Sequence, residues 1–127
     1  MIGGLDHVAI PVGDMEAMLN FYRRLGFGVD ESIAPNLYAV TFGANKINFH
    51  SPKLWQSGQF DLRGPTAQPG CGDFCFIWDG TAGELEALLE SIEIIEGPVD
   101  RIGGRNQQGQ SRYVRDPDGN LLEFMIY

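Results

Sequence analysis

Cysteine is nearly missing from this chain of 127 residues, with only Cys71 and Cys75 present. No disulfide framework is expected, and the length suits one domain whose core needs no staple. Their four-residue spacing is wider than a usual zinc pair and lacks further ligands. Both are read as ordinary thiols in a reducing compartment, which predicts a cytoplasmic protein. No apolar run approaches the roughly 18 residues of a membrane span, and no basic-then-apolar opening marks a secretion signal. Positive charge is also short: nine Lys and Arg against 17 Asp and Glu give a net charge of −8. That balance excludes a nucleic-acid backbone as partner, because phosphate binding needs a basic face. Histidine occurs twice only, which leaves no cysteine–histidine or serine–histidine nucleophile system to argue.

What is present is an orderly alternation of strand and helix signals. Residues 5 to 12 read as a strand stopped by Pro11 and Gly13. Asp14 can cap a helix carrying Met15, Met18, Leu19, Tyr22 and Leu25 at helical spacing, with Gly26 suited to its left-handed end. Strands are predicted over 27 to 33, 37 to 42 and 46 to 51. A long linker, 52 to 71, is rich in proline and glycine and carries Trp55, Phe60 and Arg63, residues able to cover a pocket. The pattern then starts again. Residues 72 to 78 read as a strand, and Thr81 with Glu84 makes a capping box for a helix with Leu85, Leu88, Leu89 and Ile92. Leu5 and Asp14 precede Gly72 and Thr81 by the same interval, which implies internal duplication. A weak strand begins at Gly97-Pro98-Val99, Gly103 to Gly109 forms a polar rim, and strands over 111 to 115 and 121 to 126 close the chain. The turn Asp116-Pro117-Asp118-Gly119 reads as a hairpin rather than a calcium loop, since it lacks the further ligands. The predicted organisation is one α+β domain over 1–127, with module one at about 1–51, the linker, and module two at about 72–127.

Strand parity singles out three polar residues. His50 shares a face with Asn48, opposite Ile47 and Phe49; His7 faces away from Val8 and Ile10; Glu123 lies across from Leu122, Phe124 and Ile126. Taken singly, each histidine also reads as a hydrogen-bonded core residue, and Glu123 as an exposed residue or a partner of Arg112 or Arg115. Together, two imidazoles and a carboxylate can close one face of a divalent ion and leave positions open for substrate. His7, His50 and Glu123 are therefore the expected metal ligands. Glu123 and Tyr113 are the expected acid–base groups, and Asn48, Trp55, Arg63 and Phe74 the expected substrate contacts. Phe74, Phe76 and Trp78 alternate along one strand, so an aromatic cleft and plain core packing both remain open for them.

Leu5-Asp6-His7-Val8-Ala9-Ile10, Phe21-Tyr22-Arg23-Arg24-Leu25-Gly26-Phe27 and Tyr113-Val114-Arg115-Asp116-Pro117-Asp118-Gly119-Asn120-Leu121-Leu122-Glu123 resemble the vicinal oxygen chelate superfamily. That superfamily includes glyoxalase I, fosfomycin-resistance transferases, extradiol dioxygenases and bleomycin-binding proteins. Lys46-Ile47-Asn48-Phe49-His50 is similar to small glyoxalase-domain members, some called virulence proteins. The resemblance implies two βαβββ modules whose curved mixed sheets form a metal-binding cup, often completed in a homodimer. It implies ligand positions at His7, His50, Phe74 and Glu123, the third of which departs from the family because phenylalanine cannot ligate. The expected function is a metal enzyme using Fe, Mn, Ni or Zn on a small substrate that chelates through adjacent oxygens. Lyase, isomerase and ring-cleaving dioxygenase chemistry are the candidate reactions. The alternative is a metal-free protein that binds or sequesters a small drug-like molecule.

Overall fold

A computed structural model describes residues 1–127. In chain order the elements are β1 (Val8–Pro11), α1 (Met15–Arg24), β2 (Gly28–Ile33), β3 (Leu37–Phe42), β4 (Asn45–His50), α2 (Pro52–Trp55), β5 (Asp73–Ile77), α3 (Ala82–Leu88), β6 (Glu96–Ile102), β7 (Gln108–Arg115) and β8 (Leu121–Ile126). The chain divides into two compact units, Met1–Cys71 and Gly72–Tyr127. Each holds one four-stranded mixed sheet and few helices, an α+β architecture.

In the first unit the strands run β1-β4-β3-β2, with β1 parallel to β4 and the other neighbours antiparallel. Asp14 accepts a hydrogen bond from the Ala17 amide at 3.1 Å and so starts α1. The helix ends where Gly26 takes φ +87°, a backbone state costly for other residues. Met18, Leu19 and Tyr22 form its buried stripe. Tyr22 meets Phe49 edge-on with centroids 5.5 Å apart, so α1 covers the sheet face that holds Ile10, Val40, Ile47 and Phe49. The linker is not wholly irregular. Ser51 caps the Leu54 amide and Pro52 opens a single helical turn, the order that favours helix initiation.

The second unit repeats this order as β5-β8-β7-β6, with β5 parallel to β8. Thr81 and Glu84 form the reciprocal capping box that begins α3. Arg112 of β7 donates to Glu86 of α3 at 2.9 Å, which fixes α3 over the face with Phe76, Val114, Leu122 and Phe124. The turn after β7 is organised by Asp116, whose carboxylate accepts from the amides of Asp118 and Asn120 and from the Asn120 side chain. Its lone pairs are thus engaged by the hairpin itself.

The two units repeat one pattern of strand register and closing hydrogen bond. Val12 donates to the His50 carbonyl at 2.9 Å, and Trp78 donates to the Met125 carbonyl at 2.8 Å. Core pairs Ile10–Phe49 and Phe76–Phe124 occupy matching register positions. The repeat therefore matches Asn48 with Glu123 and His7 with Asp73. Between strand and helix cap the second unit holds one residue more, which the interval measured at the caps conceals.

Candidate functional site

The register of the first sheet decides where the histidines point. Ala9 pairs with Asn48 and Pro11 with His50, so His7, one step outside β1, shares the face of Ala9, Asn48 and His50. That face is opposite the one covered by α1. His50 is buried, 7% exposed, while His7 is half exposed. The His7 ring bonds Asp6 through Nδ1 at 2.6 Å, which leaves Nε2 as the outward nitrogen. Burial lowers the His50 pKa, and the charges of Arg63 and His7 lower it further. The ring is thus held neutral, the state in which imidazole ligates a metal.

The linker folds over this neighbourhood. Phe60 packs its ring edge-on to His50 at 5.2 Å. Trp55 donates its indole N–H to the Val12 carbonyl at 3.0 Å, and its ring carries the Arg63 guanidinium at 5.3 Å. Arg63 also donates to the Ala67 carbonyl. Two buried polar atoms in this unit have no partner, Asn48 Oδ1 and Arg63 Nε. Expected substrate contacts Asn48, Trp55 and Arg63 thus lie in the same unit as His50, with Asn48 on its face and Trp55 and Arg63 in the covering loop.

In the second sheet Glu123 pairs with Cys75 on one side and Tyr113 on the other, and the three share a face. Ser111, fully buried, donates its hydroxyl to Glu123 Oε2 at 2.6 Å. Gly97 makes room there: it has φ +115°, and a Cβ on it would collide with the Ser111 carbonyl. Burial pushes the Tyr113 hydroxyl above the usual phenol range, opposed by a hydrogen bond from Arg101, whose Nε lies 3.2 Å away. The Cys75 thiol is pushed up to about 11, by burial first and by the Glu123 carboxylate second. Glu123 therefore sits among protonated groups, with one oxygen anchored by Ser111. Sequence reading named Glu123 and Tyr113 but missed Ser111, Cys75 and Arg101; alternation along β7 from Tyr113 points to Ser111.

The register also places Phe74 and Asp73 on opposite faces of the second sheet. Phe74 pairs with Leu122, stands 6.2 Å from Phe76, and belongs to the face covered by α3. Asp73, exposed and on the Glu123 face, is the residue that matches His7. Neither unit holds a group of three or more His, Cys, Asp or Glu side chains that could hold a metal ion. His7 and His50 share one sheet face, and Glu123 lies in the other unit. No helix is long and apolar enough to cross a membrane.

The description "Glyoxalase/Bleomycin resistance protein/Dioxygenase superfamily" matches residues 4–124. Virulence protein STM3117 of Salmonella typhimurium is 36% identical, over 100% of this chain and 86% of its own length. Its crystal structure matches with a TM-score of 0.87 at 35% identity, covering 100% of this chain and 98% of that one. Glyoxalase domain-containing protein RDO1 of Mycosarcoma maydis is 35% identical, over 99% of this chain and 69% of its own. A bleomycin-binding protein in complex with bleomycin shares the fold, with a TM-score of 0.61 at 20% identity and 98% of each chain covered. Two βαβββ units with parallel outer pairs, matched across nearly the whole length, settle the affiliation: this chain belongs to the glyoxalase/bleomycin resistance protein/dioxygenase superfamily.

Proposed function

We propose that this protein is a divalent-metal-dependent enzyme acting on a small substrate that chelates the metal through adjacent oxygens. The observation that supports this most is that His7 and His50 lie on one face of the first sheet, with Asp6 orienting the first ring and burial lowering the pKa of the second. Two imidazoles and a carboxylate suit Fe(II), Mn(II), Ni(II) or Zn(II). When bound, such an ion supplies Lewis acidity or, for Fe(II), dioxygen chemistry.

The remaining steps belong to the chain itself. Glu123 is anchored at Oε2 by Ser111 and takes further hydrogen bonds from Cys75 and Tyr113, so its carboxylate is placed to ligate or to accept a proton. Tyr113, held protonated beside it, offers a proton donor. Asn48 matches Glu123 in the repeat and presents a buried, unpartnered carbonyl oxygen for a substrate hydroxyl or amide. Each sheet carries part of the donor set, and the expected homodimer offers a second copy from which the other part can come. These features accommodate lyase, isomerase or ring-cleaving dioxygenase chemistry.

A second reading is metal-free sequestration of a small molecule, favoured by the Phe60 ring against His50 and by the Trp55 ring in the same linker. Metal analysis of untagged protein separates the two. The enzyme reading expects about one equivalent of transition metal per chain, lost in His50→Ala and in Glu123→Ala. Protein that takes up no added divalent ion and still binds small aromatic molecules contradicts it.

A further inference from the structure

We propose that Arg63 is an anion-recognition residue, so that the substrate read beside His50 carries a carboxylate or phosphate oxyanion. The inference rests on the reading of this face as substrate-binding and adds the charge of what it takes. Arg105, on the Tyr127 ring, and Arg115, on the Gly119 carbonyl, are exposed, whereas Arg63 is half-buried. Arg23 lies against Glu31, Arg101 against Glu96 and Arg112 against Glu86, each within ion-pair range. Arg63 pairs with no carboxylate. Its guanidinium is held by the Trp55 ring and by one carbonyl, that of Ala67, while its Nε is buried without a partner.

That arrangement fixes a cation without neutralising it. A guanidinium on an aromatic face, with a neutral carbonyl as its one hydrogen-bond partner, keeps unused donors in a rigid planar fork. In a chain with 17 carboxylate side chains and net charge −8, none of them lies within ion-pair range of Arg63, which leaves its charge unpaired. An incoming oxyanion would supply the absent counter-charge, and the fork geometry suits two-point recognition of its oxygens. Trp55, pinned at its indole by the Val12 carbonyl, holds the guanidinium in place.

The test uses metal-free protein and two probes, oxalate and inorganic phosphate, followed through the Trp55 indole and Arg63 Nε–H resonances by nitrogen–proton correlation spectra. Saturable shifts at both resonances are expected, with oxamide, the neutral analogue of oxalate, giving none. Arg63→Gln should weaken the better probe by about tenfold or more, the effect of losing charge-assisted hydrogen bonds. Arg63→Lys, which keeps the charge and guards against a folding defect, should bind between the two. The tighter probe tells carboxylate from phosphate. Shifts no larger than those given by chloride, or equal affinity in Arg63→Gln, overturn the inference. Arg63-dependent binding in a protein that takes up no metal overturns only the metal reading. Metal uptake without Arg63-dependent anion binding overturns only this one.

Discussion

Asn120→Ala should be the most damaging single truncation in the second unit outside its apolar core. Asn120 is fully buried. Its side-chain nitrogen donates to Asp116 Oδ2 at 2.8 Å, and its oxygen accepts from the Gly72 amide at 2.7 Å. The first bond closes the β7–β8 hairpin. The second ties the residue before β5 to the start of β8, and so sets the row that places Asp73 and Cys75 on the Glu123 face. Alanine removes both bonds and takes one partner each from a buried carboxylate and a half-buried amide. Each such loss costs about 1–3 kcal/mol, and water can partly rescue the Gly72 end, so the expected total is roughly 2–4 kcal/mol. Against a typical domain stability of about 5–15 kcal/mol this is a large fraction. Urea unfolding followed by far-ultraviolet circular dichroism measures it as a fall in midpoint at unchanged slope. Asn120→Asp is the sharper control: it keeps the Gly72 acceptor but sets a second carboxylate against Asp116. It should be destabilised at neutral pH and recover in part as one of the two carboxylates protonates. A loss below about 0.5 kcal/mol in Asn120→Ala would refute the assignment of this asparagine as the clamp between β5 and the hairpin.

Two further predictions concern charges. Arg112 is 1% exposed and its Nε and Nη1 have no partners, so Arg112→Met should be neutral or stabilising, whereas Glu86→Ala, which strands the buried cation, should destabilise. Because Glu86 is 57% exposed, solvent screens the pair and the expected loss is about 1–3 kcal/mol in thermal or urea unfolding. For His50 the folded pKa lies below the unfolded value near 6.5, so below that pH the unfolded chain binds the proton more readily. Its contribution is complete above about pH 6.5 and is lost as pH falls towards the lowered folded value. Wild type should lose stability across that window relative to His50→Gln, and parallel pH profiles for the two would contradict the depressed pKa.

Much of this fold is legible in local sequence. The strands 37–42 and 121–126, the Asp14 cap, the Gly26 terminus and the Thr81–Glu84 box all appear where propensity and capping chemistry put them. Period-two alternation also placed His50 and Asn48 on the face away from Phe49, since the pleat leaves no other choice. What stayed hidden depends on long-range register. The one-residue difference between β1–α1 and β5–α3 reverses parity, and with it Phe74 goes to the packed face while Asp73 takes the position of His7. Nothing local marks that step. The same holds for Ser111, whose link to Glu123 exists only because β7 and β8 pair as they do. The seat of Arg63 on Trp55 likewise needs the linker to fold back on β4, which its own proline-rich sequence does not announce.

The most direct measurement is the anomalous difference map of crystals soaked in manganese or zinc. One strong peak per chain is expected, within about 2.0–2.2 Å of an imidazole nitrogen of His7 and of His50 and of a carboxylate oxygen of Glu123, whether one copy or two supplies them. Soaked crystals in which the peaks avoid these three residues, or in which the imidazoles and the carboxylate stay apart in every assembly of the lattice, would contradict the account.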